Sequence, residues 1–393
     1  MRKQIKVVIG ANFGDEGKGL MTDYFCNELS ANGSVLNIRH NGGAQAGHTV
    51  VTPDGMRHVF SHLGAGSFNP HVATYLSEDF ILNPILFCRE LEALKKEFSL
   101  TPRVYVHPNC RITTPYDMLI NQIAEKSLGD QRHGSCGVGI NETVVRYNSA
   151  LFGYPQRTLL SAQNILFTPL DHILTDIRKR YVPARLKEHG VTSLSMEDYD
   201  RINSDVLLYK WIDQLHEMLG YCKIVGDGVL KPYDSFVFEG AQGLLLDNDY
   251  DPFAPYLTTS KTGSCNPKNI LLASGYKDAD IEVCYVTRTY FTRHGNGPFP
   301  SECGKEELGI EADDQTNRKN EFQGVFRYGR FDNDLFKSAV SFDMAYLAHE
   351  FSSLRNTVAF THVDECGTLI FDLPAPVSYT SYGRTREDIQ QIL

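Results

Sequence analysis

The run Val7-Val8-Ile9-Gly10-Ala11-Asn12-Phe13-Gly14-Asp15-Glu16-Gly17-Lys18-Gly19 constrains this chain more than any other stretch, because an apolar strand delivers straight into a glycine-rich turn carrying acids and a lysine. Four glycines let the backbone approach an anion and aim several N–H groups at it, and a helix starting near Leu20 adds the positive end of its dipole. A strand, turn and helix of this kind belong to an α/β sheet that handles phosphate. The turn departs from the usual nucleoside-triphosphate loop in two ways. Six residues instead of four separate Gly10 from Gly17, and Gly19 follows the lysine where a Mg²⁺-binding Ser or Thr is expected. A metal would need a ligand from elsewhere, and Asp15 is the nearest acid that offers one.

A second glycine cluster, Arg39-His40-Asn41-Gly42-Gly43-Ala44-Gln45-Ala46-Gly47-His48-Thr49-Val50, follows another predicted strand, Val35–Ile38. Two such turns at neighbouring strand ends face one crevice, the place where open α/β sheets bind ligands. His48, presented by a flexible turn, and Asp15 then form a candidate proton-handling pair. Further strands are predicted at Ile5–Ile9, Arg103–Val106, Phe236–Phe238, Glu282–Thr287 and Val358–Thr361, alternating with helices such as Ile85–Glu97 and Phe336–His349. Asn83 is placed to cap the first of these helices and Pro84 to begin it. The alternation predicts an α/β fold with a mostly parallel central sheet and flanking helices. It also fits one catalytic domain over residues 1–393, with a helical subregion from about 114 to 232 in which Val206–Leu219 is apolar on one face.

Seven blocks in order resemble the adenylosuccinate synthetase family. They are the turns at 14–19 and 42–49; His62-Leu63 with Gly66; Gly134-Ser135-Cys136-Gly137-Val138-Gly139; Phe238-Glu239-Gly240-Ala241-Gln242-Gly243 with Pro255-Tyr256-Leu257-Thr258-Thr259-Ser260; Thr292-Arg293 with Gly297-Pro298-Phe299-Pro300-Ser301-Glu302; and Thr361-His362-Val363-Asp364. The resemblance implies a P-loop-related fold and a ligase that joins aspartate to the six-position of IMP at the expense of GTP and Mg²⁺. It implies Asp15 as base and metal ligand, His48 as acid toward the purine oxygen, and Gln242 as a hydrogen-bond partner of that oxygen. Gly14, Glu16, Gly17, Lys18, Gly19, Gly47 and Thr49 would hold the nucleotide phosphates, with Gly47 also a metal ligand. His362, Asp364, Ser381 and Gly383 would surround the nucleotide base. Gln45, Ser135, Cys136 and Thr258 would hold the purine monophosphate. Arg146 matches an arginine that reaches across a homodimer to the partner's substrate.

Departures from the family pattern fall mainly on one side. The segment Glu321-Phe322-Gln323-Gly324-Val325-Phe326-Arg327-Tyr328-Gly329-Arg330 stands in place of an arginine-rich loop that clamps the aspartate carboxylates; Gly324 and Phe326 replace two of its arginines, Arg327 aligns with a third, and Arg330 stands at the position of a tryptophan, from where it could still bind a dicarboxylate. Aspartate or another amine remains open there. His362 stands in place of the lysine of the guanine-reading segment, Cys136 in place of a threonine and Gln45 in place of an asparagine. Only 16 residues separate Asp364 from Ser381, which resembles short archaeal forms and viral relatives that act on deoxyguanylate, some with ATP. The retained Asp15 favours IMP over GMP or dGMP. A non-catalytic nucleotide sensor would keep the phosphate cradle without needing Asp15 and His48.

A formal charge of −10 with no basic stripe argues against nonspecific nucleic-acid binding. Nine cysteines include no C-x-x-C pair or metal-ligand spacing. With no signal peptide and no apolar run near 18 residues, no membrane partner is expected and a reducing cytoplasm is the expected location. The charged stretch Glu302–Asn320 reads as a loop after the Asn296-Gly297-Pro298 turn.

Overall fold

The computed structural model describes residues 2–129, 135–149, 160–167, 169–310, 326–367 and 372–392. The expectations for Gly134, for Glu321–Val325 and for residues 311–320 of the charged loop lie outside the described residues. Ten strands make one sheet: β1 (Gln4–Gly10), β2 (Val35–Arg39), β3 (Val72–Leu76), β4 (Val104–Val106), β5 (Lys223–Ile224), β6 (Ser235–Glu239), β7 (Asp280–Arg288), β8 (Leu354–Thr361), β9 (Val377–Ser381) and β10 (Ile389–Gln391). Their order is β10-β9-β8-β7-β1-β6-β2-β3-β4-β5. Every neighbouring pair is parallel except β9 with β10 at one edge.

The connectivity explains why ligands gather at one point. From β1 the chain builds outward through β2 to β5, returns to insert β6 between β1 and β2, and then builds the other flank from β7. The direction of winding therefore reverses around β1 and β6, and the carboxyl ends of β1, β2, β6 and β7 open on a common crevice. Those ends carry Gly10, Arg39, Glu239 and Arg288.

Alternation along the strands divides the core. Val7 and Ile9 join Phe236, Phe238, Val283 and Tyr285 against Phe336 and Val340 of the helix Asn333–Leu347. Val8, Val237 and Cys284 face the opposite way and cover Met21, Phe25 and Leu29 of α1 (Lys18–Ser30). A third core joins α2 (Pro84–Phe98) to the helical region through Phe87, Leu91, Ile120, Ile123, Trp211 and Leu215. Asn83 caps α2 by accepting from the N–H groups of Ile85 and Leu86, as the sequence predicts, a contact worth about 1 kcal/mol. Helices Pro115–Ser127, Ile140–Asn148, Met196–Asn203 and Asp205–Tyr221 account for the helical character between 114 and 232. No helix among the described residues is long and apolar enough to cross a membrane.

Candidate active site

The crevice holds a cavity of about 1450 Å³. One wall is the turn after β1, and hydrogen bonds from three other segments orient that turn. The carbonyls of Gly14, Asp15 and Glu16 accept from Thr292 Oγ1 (3.1 Å), Arg288 Nε (2.6 Å) and Thr361 Oγ1 (2.7 Å). In a trans peptide the following N–H points opposite to the carbonyl, so the amides of Asp15, Glu16 and Gly17 are turned away from those donors as a group. Left-handed backbone at Gly14 (φ 105°), Asp15 (φ 61°) and Gly17 (φ 95°) makes the turn possible. A side chain at Gly17 would also sit 2.9 Å from Thr361 Cγ2. Asp15, Gln242 (φ 62°) and His362 (φ 56°) are non-glycine residues held in this costly conformation, and all three border the cavity.

Lys18 lines the cavity and is only 4% exposed, with Nζ 2.5 Å from Glu16 Oε2. The Glu16 side chain does not face the cavity, which leaves its backbone amide as the part of the residue able to meet a phosphate. Its buried carboxylate accepts from the amides of Gly14 (2.7 Å) and Asn12 (3.1 Å) and pairs with Lys18, so it braces the turn from behind. A carboxylate facing a triphosphate would be repelled, whereas one behind the loop neutralises the lysine.

The second turn leads into the strand His48–Val51, hairpin-paired with Arg57–Phe60. His48 is buried, and its Nδ1 is hydrogen-bonded to Glu239 Oε1 at the end of β6. Its Nε2 has no partner among the described residues, while the residue lines the cavity. Burial pushes this imidazole below its ordinary pKa, against the pull of Glu239. Burial alone would raise the Glu239 carboxyl, but Arg39 and His48 together hold it below its usual range. Glu239 is thus an ionised acceptor inside the protein. Sequence reasoning quoted this residue without a role; the available signal was an acid closing the apolar strand Ser235–Phe238.

Gln242 and Gln45 also line the cavity, and Gln242 Oε1 and both polar atoms of the Gln45 amide are buried with no partner among the described residues. Such amides can give and take hydrogen bonds with a molecule in the cavity. Gly19, Gly47, Thr49, Ser135, Cys136 and Thr258 border the same space. Ser135 Oγ is tied to Asn121 Oδ1 at 2.8 Å and receives the Gly137 amide at 3.2 Å, just before Gly139 caps the helix Ile140–Asn148. At the far end stand His362, Asp364 and Gly383. Burial, reinforced by the charge of Arg288, pushes the His362 imidazole well below its ordinary pKa and leaves it neutral. Ser381 does not line the cavity but shapes this end by donating to the Gly383 carbonyl at 2.7 Å.

Three arginines stand elsewhere than expected. Arg146 is fully buried, with Nε 2.8 Å and Nη2 2.9 Å from the Asp117 carboxylate and Nη2 2.7 Å from the Ile112 carbonyl. It cannot reach a partner subunit without breaking a buried ion pair, so the homodimer expectation draws no support from it. Arg327 pairs with Glu302 and donates to the carbonyls of Gly295 and Gly297; Arg330 pairs with Glu307 at 2.5 Å. Neither lines the cavity. Arg288, Tyr290, Arg293 and His294 do, and sequence reasoning gave them no role. Arg293 is 1% exposed, lies 4.4 Å over the Phe13 ring and donates to the Pro298 carbonyl at 2.7 Å. Burial, with the like charge of Arg327, lowers its pKa to about 10. His294 Nε2 is 3.3 Å from Asp15 Oδ2, and its ring packs 4.8 Å from that of Phe326.

The family profile described as adenylosuccinate synthetase matches residues 7–348. The chain is 29% identical over 299 residues to an adenylosuccinate synthetase of Streptococcus sanguinis, covering 75% of this chain but 64% of that protein's length. It is 28% identical over 347 residues to one of Halothermothrix orenii, covering 85% and 74%. Its fold is shared with a fully ligated adenylosuccinate synthetase from Plasmodium falciparum (TM-score 0.69, 18% identity, 99% of each chain). It is shared too with a cyanophage S-2L succinoaminodeoxyadenylate synthetase bound to dGMP and dATP (TM-score 0.64, 19% identity, 100% of this chain and 96% of that one).

Proposed function

From the premise that the chain belongs to the adenylosuccinate synthetase family, we propose that it is a ligase that phosphorylates the 6-oxygen of IMP with GTP and then displaces that phosphate with the amine of aspartate. The observation that carries this reading is the meeting of Asp15, the open Nε2 of His48, Lys18 and the open amide of Gln242 around one cavity. A pure binder would need the lysine and the glycine turn but not the acid and the imidazole.

In the proposed sequence Asp15 takes the proton from purine N1, and the electron pair released makes O6 the nucleophile toward the γ-phosphorus. The bond from that phosphorus to the β–γ bridging oxygen breaks and leaves the nucleoside diphosphate. The amine then attacks C6, and the phosphate departs with the former O6. With Nδ1–H held by Glu239, His48 supplies a hydrogen bond or proton to this oxygen from Nε2 when the ring carries its second proton as the imidazolium, and the Gln242 amide holds the same region of the ring. A positioned base or acid of this kind is worth about 10²–10⁴ in rate. Lys18 and the amides of the first turn offset phosphate charge, the main demand of phosphoryl transfer.

The donor set suits Mg²⁺ without a dedicated cage. That ion is held by one or two carboxylates together with substrate phosphates and waters, and among the described residues no group of three acidic, imidazole or thiol ligands occurs. Asp15 and Gly47 would hold it, and when bound it would neutralise phosphate charge. At the base end, the exposed Asp364 carboxylate is an acceptor suited to the N1 and N2 groups of guanine, beside the neutral His362 ring.

The test is turnover by purified protein with Mg²⁺, each of GTP, ATP and dATP, and each of IMP, GMP and dGMP, with and without aspartate. GTP, IMP and aspartate together should give nucleoside diphosphate and the 6-succinyl product. Product from dGMP but not IMP would move the substrate to the 2-aminopurine class. Diphosphate release independent of any purine monophosphate would overturn the ligase reading.

A further inference from the structure

The strongest unassigned feature is the chain of charged groups behind His48. Glu239 is 0% exposed, and each of its oxygens has its own donor. Oε1 is bonded to His48 Nδ1 and lies 3.9 Å from Arg39 Nη1, whereas Oε2 accepts the Ala65 amide at 3.0 Å. Arg39, also 0% exposed, is fixed by donating to the Leu63 carbonyl at 3.2 Å and by lying 5.4 Å over the Phe80 ring. Arg39 and Glu239 are register partners at the ends of β2 and β6, so the sheet itself sets their spacing.

We propose that Arg39 and Glu239 are positioning residues that hold the His48 proton on Nδ1, so that proton exchange with bound substrate is confined to Nε2. The inference rests on the ligase reading for what Nε2 acts upon, but the tautomer itself is independent of it. An ionised carboxylate has no proton to give, so the hydrogen in the His48–Glu239 contact belongs to Nδ1. The other ring nitrogen is then the one left open to the cavity, where it has no partner among the described residues. Arg39 keeps the carboxylate charged while reaching no cavity ligand itself.

A merely structural hydrogen bond would not specify which atom carries the proton, and Glu239→Gln separates the two cases. The Ala65 amide can only donate, so the glutamine oxygen must take the Oε2 place and its NH₂ must turn toward His48. Nδ1 becomes an acceptor, and the proton moves to Nε2. A ring that accepts at Nδ1 cannot also be protonated there, so the imidazolium that gives up its Nε2 proton no longer forms, and turnover falls while the geometry is kept.

The experiment is ¹⁵N NMR of histidine-labelled protein at one neutral pH, with the His48 signals assigned by their loss in His48→Asn. Wild-type protein should show His48 protonated on Nδ1, and Glu239→Gln should show it on Nε2. Steady-state kinetics of Glu239→Gln should show kcat lowered about 10²-fold with KM for both nucleotides within about threefold of wild type. A wild-type His48 protonated on Nε2, an unchanged tautomer in Glu239→Gln, or a kcat within threefold of wild type would each overturn the proposal. The wild-type spectrum requires no variant to fold. If no purine nucleotide turns over while the tautomers behave as stated, the ligase reading fails and the assignment of the proton stands.

Discussion

Glu16→Gln tests the claim that the acid of the first turn braces the loop from behind. The substitution preserves shape, and its amide oxygen can still accept the Gly14 and Asn12 amides now 2.7 and 3.1 Å from Oε1. Its NH₂ must then face the Lys18 ammonium, which stands 2.5 Å from Oε2. Two donors meet there, and a cation 4% exposed loses its counter-charge. Removing one partner of a buried pair costs about 3–5 kcal/mol. With an unfolding entropy of about 2.1 cal/mol/K per residue over 393 residues, the loss corresponds to a drop of about 4–6 °C in Tm. Scanning calorimetry without nucleotide should show that drop. With saturating Mg²⁺ and nucleoside triphosphate the gap should narrow to under about 2 °C, because bound phosphates resupply the anion next to Lys18. A nucleotide-free Tm within about 1 °C of wild type would refute the brace. A gap that nucleotide leaves unchanged would show that Lys18 does not face the phosphates.

Three further outcomes follow from the same geometry. Asp15→Asn should lower turnover by about 10²–10⁴ while leaving nucleotide affinity, measured by calorimetric titration, within about fivefold; the amides of the turn are untouched, and unchanged turnover would remove Asp15 from the mechanism. Gly19→Ala places a Cβ 2.8 Å from the Thr49 carbonyl and 3.1 Å from His48 Cβ, so α1 must push the hairpin that carries His48; kcat should fall at least tenfold, and full activity would show that the hairpin yields without cost. Burial raises Asp343 from 3.8 to about 6 against its bonds from Ser264 and Tyr285, so it stabilises the fold most when protonated, below pH 4, and that contribution is lost as pH rises through 6. Asp343→Asn should therefore gain stability relative to wild type by up to about 3 kcal/mol between pH 4 and pH 8; a difference in Tm that does not grow across that range would contradict the buried-carboxyl account.

The parts of the fold that were legible in sequence are those where local pattern and burial agree. β1, β2, β6, β7 and β8 are mostly apolar and mostly buried, with single polar residues such as Lys6, Asn37 and Glu282 set among β-branched and aromatic ones, so their runs stand out from the turns that follow. Strand β3 reads Val72-Ala73-Thr74-Tyr75-Leu76 and is fully buried, yet its threonine and the small apolar run gave no period to recognise, and β5 and β10, at two and three residues, have too few positions to carry one. The cavity turn after β1 was legible for a related reason: Gly14, Asp15, Gly17 and Lys18 lie in one short segment whose left-handed backbone its glycines permit. The bracing of that segment was not, because its donors Arg288, Thr292 and Thr361 lie more than 270 residues away in sequence.

The same contrast explains why the amine side resists reading from the chain alone. A carboxylate-binding arginine is defined by what its guanidinium faces, and neighbouring glutamates decide that. Arg327 occupies an arginine position of the family pattern and Arg330 lies three residues on, but Glu302 and Glu307 already neutralise them. Arg293 has backbone carbonyls, an aromatic ring and no ion-pair partner among the described residues, and it borders the cavity. A dicarboxylate entering that cavity would meet its positive charge, with Arg288 a second guanidinium on the same wall and His294 already beside Asp15. If an acidic amine is the second substrate, Arg293→Lys should raise the KM for aspartate at least tenfold, because the compact ammonium cannot keep both the Pro298 contact and a forked grip on a carboxylate. The KM for IMP should stay within about threefold, and an equal rise in both would place Arg293 in the fold of the site and not in the choice of amine.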